Sequence, residues 1–253
     1  MKYSRVLFWV VIGLAFVLRF WQLGNVPGSV SNDEAAYIYS GYSIWETGRD
    51  IAGVKFPLSI NLDNSFSPVP VYIIAPFVGI FELNAFWGRL PFAFAGFGSL
   101  ILFYFIVRML LKERIALFAT FSFTISPWHL HLSRTTLDAV FALFFFLVGF
   151  YLFLKFYKKG SILWSFPAFL LSFYSYHGTK LFLVIFIAFL LWYFRESILK
   201  RKKELGIFIF LCILMIGSFH YISKTQNVSR QQIFFWSDMI EPTTTVNKDR
   251  EQS

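Results

Sequence analysis

Residues 69–81, VPVYIIAPFVGIF, decide how the rest of the chain is threaded. The stretch is apolar but for the Tyr72 hydroxyl, yet it offers only 13 residues and contains Pro70 and Pro76. A helix needs about 20 residues to cross a hydrocarbon core of ~30 Å. The segment therefore reads as lying in a membrane interface. Seven other apolar runs, at about 6–23, 87–107, 115–130, 137–156, 162–174, 181–194 and 206–221, read as spans. The runs at 115–130 and 162–174 are short and must borrow flanking residues.

Charge tests this threading independently, because short cytoplasmic loops carry an excess of Lys and Arg. If residues 69–81 do not cross, every basic cluster falls on one side. These are Lys2 and Arg5, then Arg108, Lys112 and Arg114, then Lys155, Lys158 and Lys159, and finally Arg195 with Lys200, Arg201, Lys202 and Lys203. If they do cross, every cluster after the first changes sides. The expectation is an all-α membrane protein of about seven transmembrane helices with a cytoplasmic N-terminus. A long first external loop, about 24–86, then carries juxtamembrane helices. Residues 1–221 form the membrane module and 222–253 a polar external tail.

Composition agrees with that class. Of the 253 residues 57% are hydrophobic and 22% aromatic, with a mean hydropathy of +0.61; soluble domains hold roughly half apolar residues. The formal charge of +9 comes from short clusters between apolar runs, so nucleic acid is set aside as a partner and membrane lipids are retained. The single Cys212 sits inside an apolar run and excludes a disulfide framework within the chain. The N-terminal run continues to Leu23 with no small-residue cleavage site after it, and reads as a retained first span.

Within the first loop, residues 31–48, SNDEAAYIYSGYSIWETG, predict a short amphipathic helix. Ser31 and Glu34 have the spacing of a capping box, Ile38, Tyr42 and Trp45 recur at helical intervals, and Gly48 stands where a C-cap belongs. Asp33 and Glu34 are adjacent carboxylates in its first turn. A purely local reading has Glu34 reaching back to the Ser31 amide and Asp33 complementing the helix dipole, together worth about 1 kcal/mol. For Glu34 capping and function weigh equally. Asp33 points to function, since the first turn is rich in free N–H donors and faces whatever lies above the membrane.

A second acidic position lies in 126–141, SPWHLHLSRTTLDAVF, where Arg134 and Asp138 are one turn apart and could form an i,i+4 ion pair. With the threading above, Asp33, Glu34, Arg89, Arg134, Asp138, His177, Lys180 and His220 share the external face, where polyanionic head groups are the natural counter-charges. Arg19 beside Phe20 and Trp21 reads as a snorkelling anchor. His129, His131 and His177 do not have metal-ligand spacing on one helix face and read as interfacial or packing residues. The triplet at Asn227 matches a glycosylation sequon, a weak signal.

In order and spacing these elements resemble the GT-C class of integral-membrane glycosyltransferases. In particular they resemble the branch containing protein O-mannosyltransferases and lipid A aminoarabinose transferases. The resemblance rests on the Asp33-Glu34 pair, the P-x-x-x-Y stretch from Pro68, the span pair GRLPFAFAGFGSLILFYFIVRMLLKERIALFA at 88–119, and 126–141, over roughly residues 1–235. It implies transfer of a sugar from a polyprenyl-phosphate donor to a lipid, glycan or protein acceptor on the external face. Asp33 then resembles the catalytic acid, Glu34 its companion, Asp138 the second-loop acid and Arg89 the arginine opening the second span. On chemistry alone Arg89, Arg134 and Lys180 are the cations for a leaving phosphate. A divalent cation, Mg or Mn, on Asp33 and Asp138 is the alternative source of positive charge. Members of the class are usually longer, which makes a truncated member the expectation. A transporter component would place its charges at mid-span on broken, repeated helices, which this chain does not. An inactive membrane fragment is the third reading.

Overall fold

In the computed structural model, which describes residues 2–51, 53–58, 60–61 and 65–225, the acidic stretch is the helix its caps predict. Helix α2, Asn32–Thr47, opens at an extended Ser31 whose hydroxyl accepts from the Glu34 N–H at 3.2 Å. It closes at Gly48, whose φ of +67° is the left-handed conformation that favours glycine, and whose N–H bonds to the Ile44 carbonyl. Helix α1, Lys2–Phe20, precedes it, joined by a loop with a cis Val26–Pro27 bond.

The segment that sets the threading is α3, Pro68–Ile80, begun by a proline whose missing N–H costs nothing in the first turn. It lies along α2. A Cβ on Gly41 would meet Ile74 Cγ2 at 3.0 Å and the Ala75 nitrogen at 3.3 Å, so a larger residue there would push the two helices apart. Two-residue strands β1, Ile60–Asn61, and β2, Ser65–Phe66, pair antiparallel ahead of α3, a minor addition to an otherwise helical chain.

Then follow α4, Ala85–Leu110, α5, Glu113–Thr124, α6, Pro127–Leu132, α7, Ala139–Phe156, α8, Phe166–Ser175, α9, Thr179–Tyr193, α10, Arg195–Ile198, and α11, Lys202–Thr225. The run at 115–130, expected as one span, is two helices. The α-helix stops at Ile125, and Pro127, with no N–H to continue the ladder, starts α6. Helices α4 and α7 and the helical stretch Arg195–Ile222 are long and apolar enough to cross a membrane by length and composition. The tail from 226 on, with its sequon at Asn227 and its aromatic island at 233–236, lies outside the described residues.

Two apolar clusters organise the packing. One joins α2, α3, α4 and α7 through Tyr37, Ile38, Ile74, Val78, Phe92 and Phe141. The other joins α7 to α11 through Phe153, Phe169, Leu183, Leu190, Phe208 and Met215. The first cluster carries the acidic end of α2; the second brings α8, α9 and α11 beside it.

Candidate active site

Glu34 does not reach back to cap its own helix. Its carboxylate accepts from Arg89 Nε at 2.7 Å and Arg89 Nη2 at 3.0 Å, and the two side chains are 1% and 0% exposed. Arg89 also donates through Nη1 to the carbonyls of Leu23 at 3.1 Å and Pro27 at 3.0 Å, and through Nη2 to that of Ser29 at 3.0 Å. Five contacts occupy a guanidinium that has five N–H groups. The guanidinium expected at a leaving phosphate is thus occupied by acceptors of the protein itself. It ties the loop between α1 and α2 to the start of α4 and fixes where the first turn of α2 sits. Thr136 adds a bond from its hydroxyl to the Glu34 carbonyl at 3.3 Å.

Arg134 and Asp138 part company. Arg134 donates to the carbonyls of Leu18 at 2.6 Å, Trp21 at 2.8 Å and Val26 at 2.9 Å, a cation that joins the end of α1 to the loop after it. Arg19, read from sequence as a snorkelling anchor, is instead fully buried, with Nη2 2.8 Å from His129 Nδ1. His129 is correspondingly a buried partner.

Asp138 turns the other way, toward α2 and α3. It takes hydrogen bonds from the Tyr37 and Ser67 side chains and from the Ala139 backbone N–H, and feels the charge of Lys180. Burial outweighs these contacts and pushes its carboxyl up to about 6. Burial, and then the Asp138 charge, push the Tyr37 phenol well above its usual range, so it remains a donor at neutral pH. Lys180 Nζ lies 2.7 Å from His177 Nδ1 and 4.2 Å from the centroid of the Phe219 ring.

Asp33 is the exposed member of the set. It stands one residue before the buried Glu34, and its charge acts on Tyr37, one turn further along α2. An exposed carboxylate thus stands one turn before a buried phenol, and that phenol binds a second carboxylate, at the start of α7, which feels the charge of a lysine at the start of α9. Sequence reading missed Tyr37, Ser67 and Phe219, and took His177 for packing. The available signal for Tyr37 was its position four residues after Asp33, on the same helix face. Among the described residues no three His, Cys, Asp or Glu side chains gather as metal ligands. Of the two acids expected to share a divalent cation, Asp138 is held by Tyr37 and Ser67 and Asp33 is exposed.

A family model described as dolichyl-phosphate-mannose-protein mannosyltransferase matches residues 65–218, more than half of the chain. That stretch holds Arg89, Arg134, Asp138 and Lys180, and begins after the Asp33-Glu34 pair. The chain is 28% identical over 152 residues to "Putative mannosyltransferase YycA" of Bacillus subtilis (strain 168), covering 59% of this chain and 22% of that protein. It is 26% identical over 204 residues to "Putative mannosyltransferase YkcB" of the same organism, covering 79% of this chain and 27% of that protein. The chain thus spans about a quarter of the length of the curated relatives it matches. No solved structure matches it.

Proposed function

Because the chain belongs to the dolichyl-phosphate-mannose-protein mannosyltransferase family, we propose that its polar cluster transfers a sugar from a polyprenyl-phosphate donor to a hydroxyl acceptor, with Asp33 as the base. The relatives' names make mannose the first sugar to try. The observation that carries the reading is the division of labour between neighbours. Glu34 is buried on Arg89, while Asp33 is left exposed at the N-terminal end of α2.

In the proposed step the acceptor oxygen forms a bond to the anomeric carbon as the bond from that carbon to the phosphate oxygen breaks. Positive charge spreads over the sugar ring in the transition state, and the acceptor proton passes to the Asp33 carboxylate. The leaving phosphate takes the bonding electron pair, and Lys180, whose ammonium burial pulls down to about 7 against the opposing charge of Asp138, receives it in its protonated form. Asp138 and His177 position that lysine, and Tyr37 holds Asp138. On this reading Lys180→Gln weakens binding of a polyprenyl-phosphate sugar by about 1.5–3 kcal/mol, the range for a hydrogen bond to a charged group. Titration of the purified protein with the donor, and separately with the acceptor, checks this. Equal losses for both would place Lys180 elsewhere.

The same reading places the cluster on the outside of a cell membrane, in a seven-span chain with a cytoplasmic N-terminus. Its support is the polarity of the molecule. Asp33, Asp138 and Lys180 gather at one end, while Arg108 at the end of α4 and the loop 158–160, tied to Arg201, lie at the other. In a Cys212→Ala background, Asn61→Cys is expected to label with an impermeant thiol reagent from outside intact cells and Lys159→Cys only after lysis. The reverse pattern would put the cluster in the cytoplasm.

A further inference from the structure

At the end of the molecule away from Asp33, the start of α1, the end of α4 and the start of α5 enclose a cavity of about 250 Å³. Arg5 and Arg108 line it together with one carboxylate, Glu113. Its walls are aromatic: Phe8 and Tyr104 meet with ring centroids 4.4 Å apart, and Trp9, 68% exposed, stands at the mouth. Arg108 lies over the Tyr104 ring at 6.0 Å, a contact that orients the guanidinium without neutralising it. Among the described residues no ion pair neutralises Arg5 or Arg108. Lys112 and Arg114, both exposed, flank Glu113 in sequence and add to the positive field.

Depth identifies the ligand class. Arg89 and Arg108 are nineteen residues apart on α4, about 28 Å at 1.5 Å per residue, close to the ~30 Å of a hydrocarbon core. With Arg89 beside the acidic end of α2, the cavity falls at the opposite lipid head-group level. It is smaller than the roughly 300–1,000 Å³ of pockets that enclose drug-sized ligands. Two arginines against one acid call for an anion, and an aromatic wall that opens among the exposed apolar side chains Trp9 and Phe105 calls for an attached chain. A soluble anion would make no use of that wall.

We infer that this cavity binds the phosphate head group of an anionic phospholipid of the leaflet opposite Asp33. Arg5 and Arg108 hold the phosphate, and Phe8, Trp9 and Tyr104 receive the glycerol and the first acyl carbons. The site is separate from the sugar-transfer cluster and does not depend on that reading.

The test is thermal unfolding of the purified full chain in a neutral detergent, with phosphatidylglycerol or phosphatidylcholine of identical acyl chains added. Phosphatidylglycerol is expected to raise Tm by several degrees more than phosphatidylcholine. Arg5→Gln/Arg108→Gln should abolish most of that difference, whereas Arg5→Lys/Arg108→Lys should keep part of it. Lys200→Gln/Lys203→Gln makes the same change in charge at exposed positions outside the cavity and should keep all of it. Native mass spectrometry of the same samples should find phosphatidylglycerol retained by the wild type and lost from the Gln pair. Equal losses in the two Gln pairs would reduce the effect to diffuse surface charge. Equal shifts with the two lipids, or the same shift with inorganic phosphate, would also overturn the inference.

Discussion

Arg89→Gln and Glu34→Gln are each expected to destabilise the protein by about 3–5 kcal/mol, the cost of leaving one member of a buried ion pair without its partner. The two side chains are all but inaccessible, so water cannot replace the lost contact. Removing Arg89 also strips the carbonyls of Leu23, Pro27 and Ser29 of their donor. A double variant, Glu34→Leu/Arg89→Met, removes both charges and should recover part of the loss, although those three carbonyls remain unsatisfied. Thermal unfolding of the four proteins in one detergent measures the two losses and the recovery. Single variants as stable as the wild type would mean that the pair does not hold the loop. A phosphate ligand at Arg89 predicts the opposite pattern, with normal stability and weakened donor binding.

That pairing also marks where sequence reading runs out. The bounds of α2 are legible because Ser31 and Gly48 act within a turn of their own positions, and α3 is legible as a short helix because its length and prolines are local facts. Glu34 was open to misreading because a capping box offers a complete local account of it. The true partner lies 55 residues away, and neither spacing nor charge names it in advance. The break at Ser126-Pro127 falls inside a continuous apolar run, where hydropathy does not register a lost N–H. Tyr37 is one of 12 tyrosines in an aromatic-rich chain, so its place beside Asp138 emerges only when α2 packs against α3 and α7. The Lys180–His177 contact, by contrast, is three residues apart on one turn and was within reach of a periodicity argument.

The second large effect concerns Asp33. Asn keeps the size of the side chain and can still accept from the free N–H groups of the first turn, so α2 should form as before. It cannot take a proton from an acceptor hydroxyl. A positioned general base contributes typically 10²- to 10⁴-fold to rate, and Asp33→Asn is expected to lose transfer by a factor in that range. Because Asp33 is exposed and takes no part in the Glu34–Arg89 clamp, the unfolding temperature should stay at the wild-type value. Donor binding should also hold, since the phosphate is assigned to Lys180. This combination separates a base from a structural carboxylate, for which stability and rate would fall together.

The most direct measurement is therefore sugar transfer from polyprenyl-phosphate mannose in proteoliposomes, for the full-length wild type and Asp33→Asn side by side. Unfolding temperature and donor affinity are read on the same preparations. The predicted result is transfer by the wild type and at least a hundredfold less by Asp33→Asn, with stability and donor binding unchanged. Wild-type rates from Asp33→Asn, or a wild type that binds the donor and transfers nothing, would contradict the account.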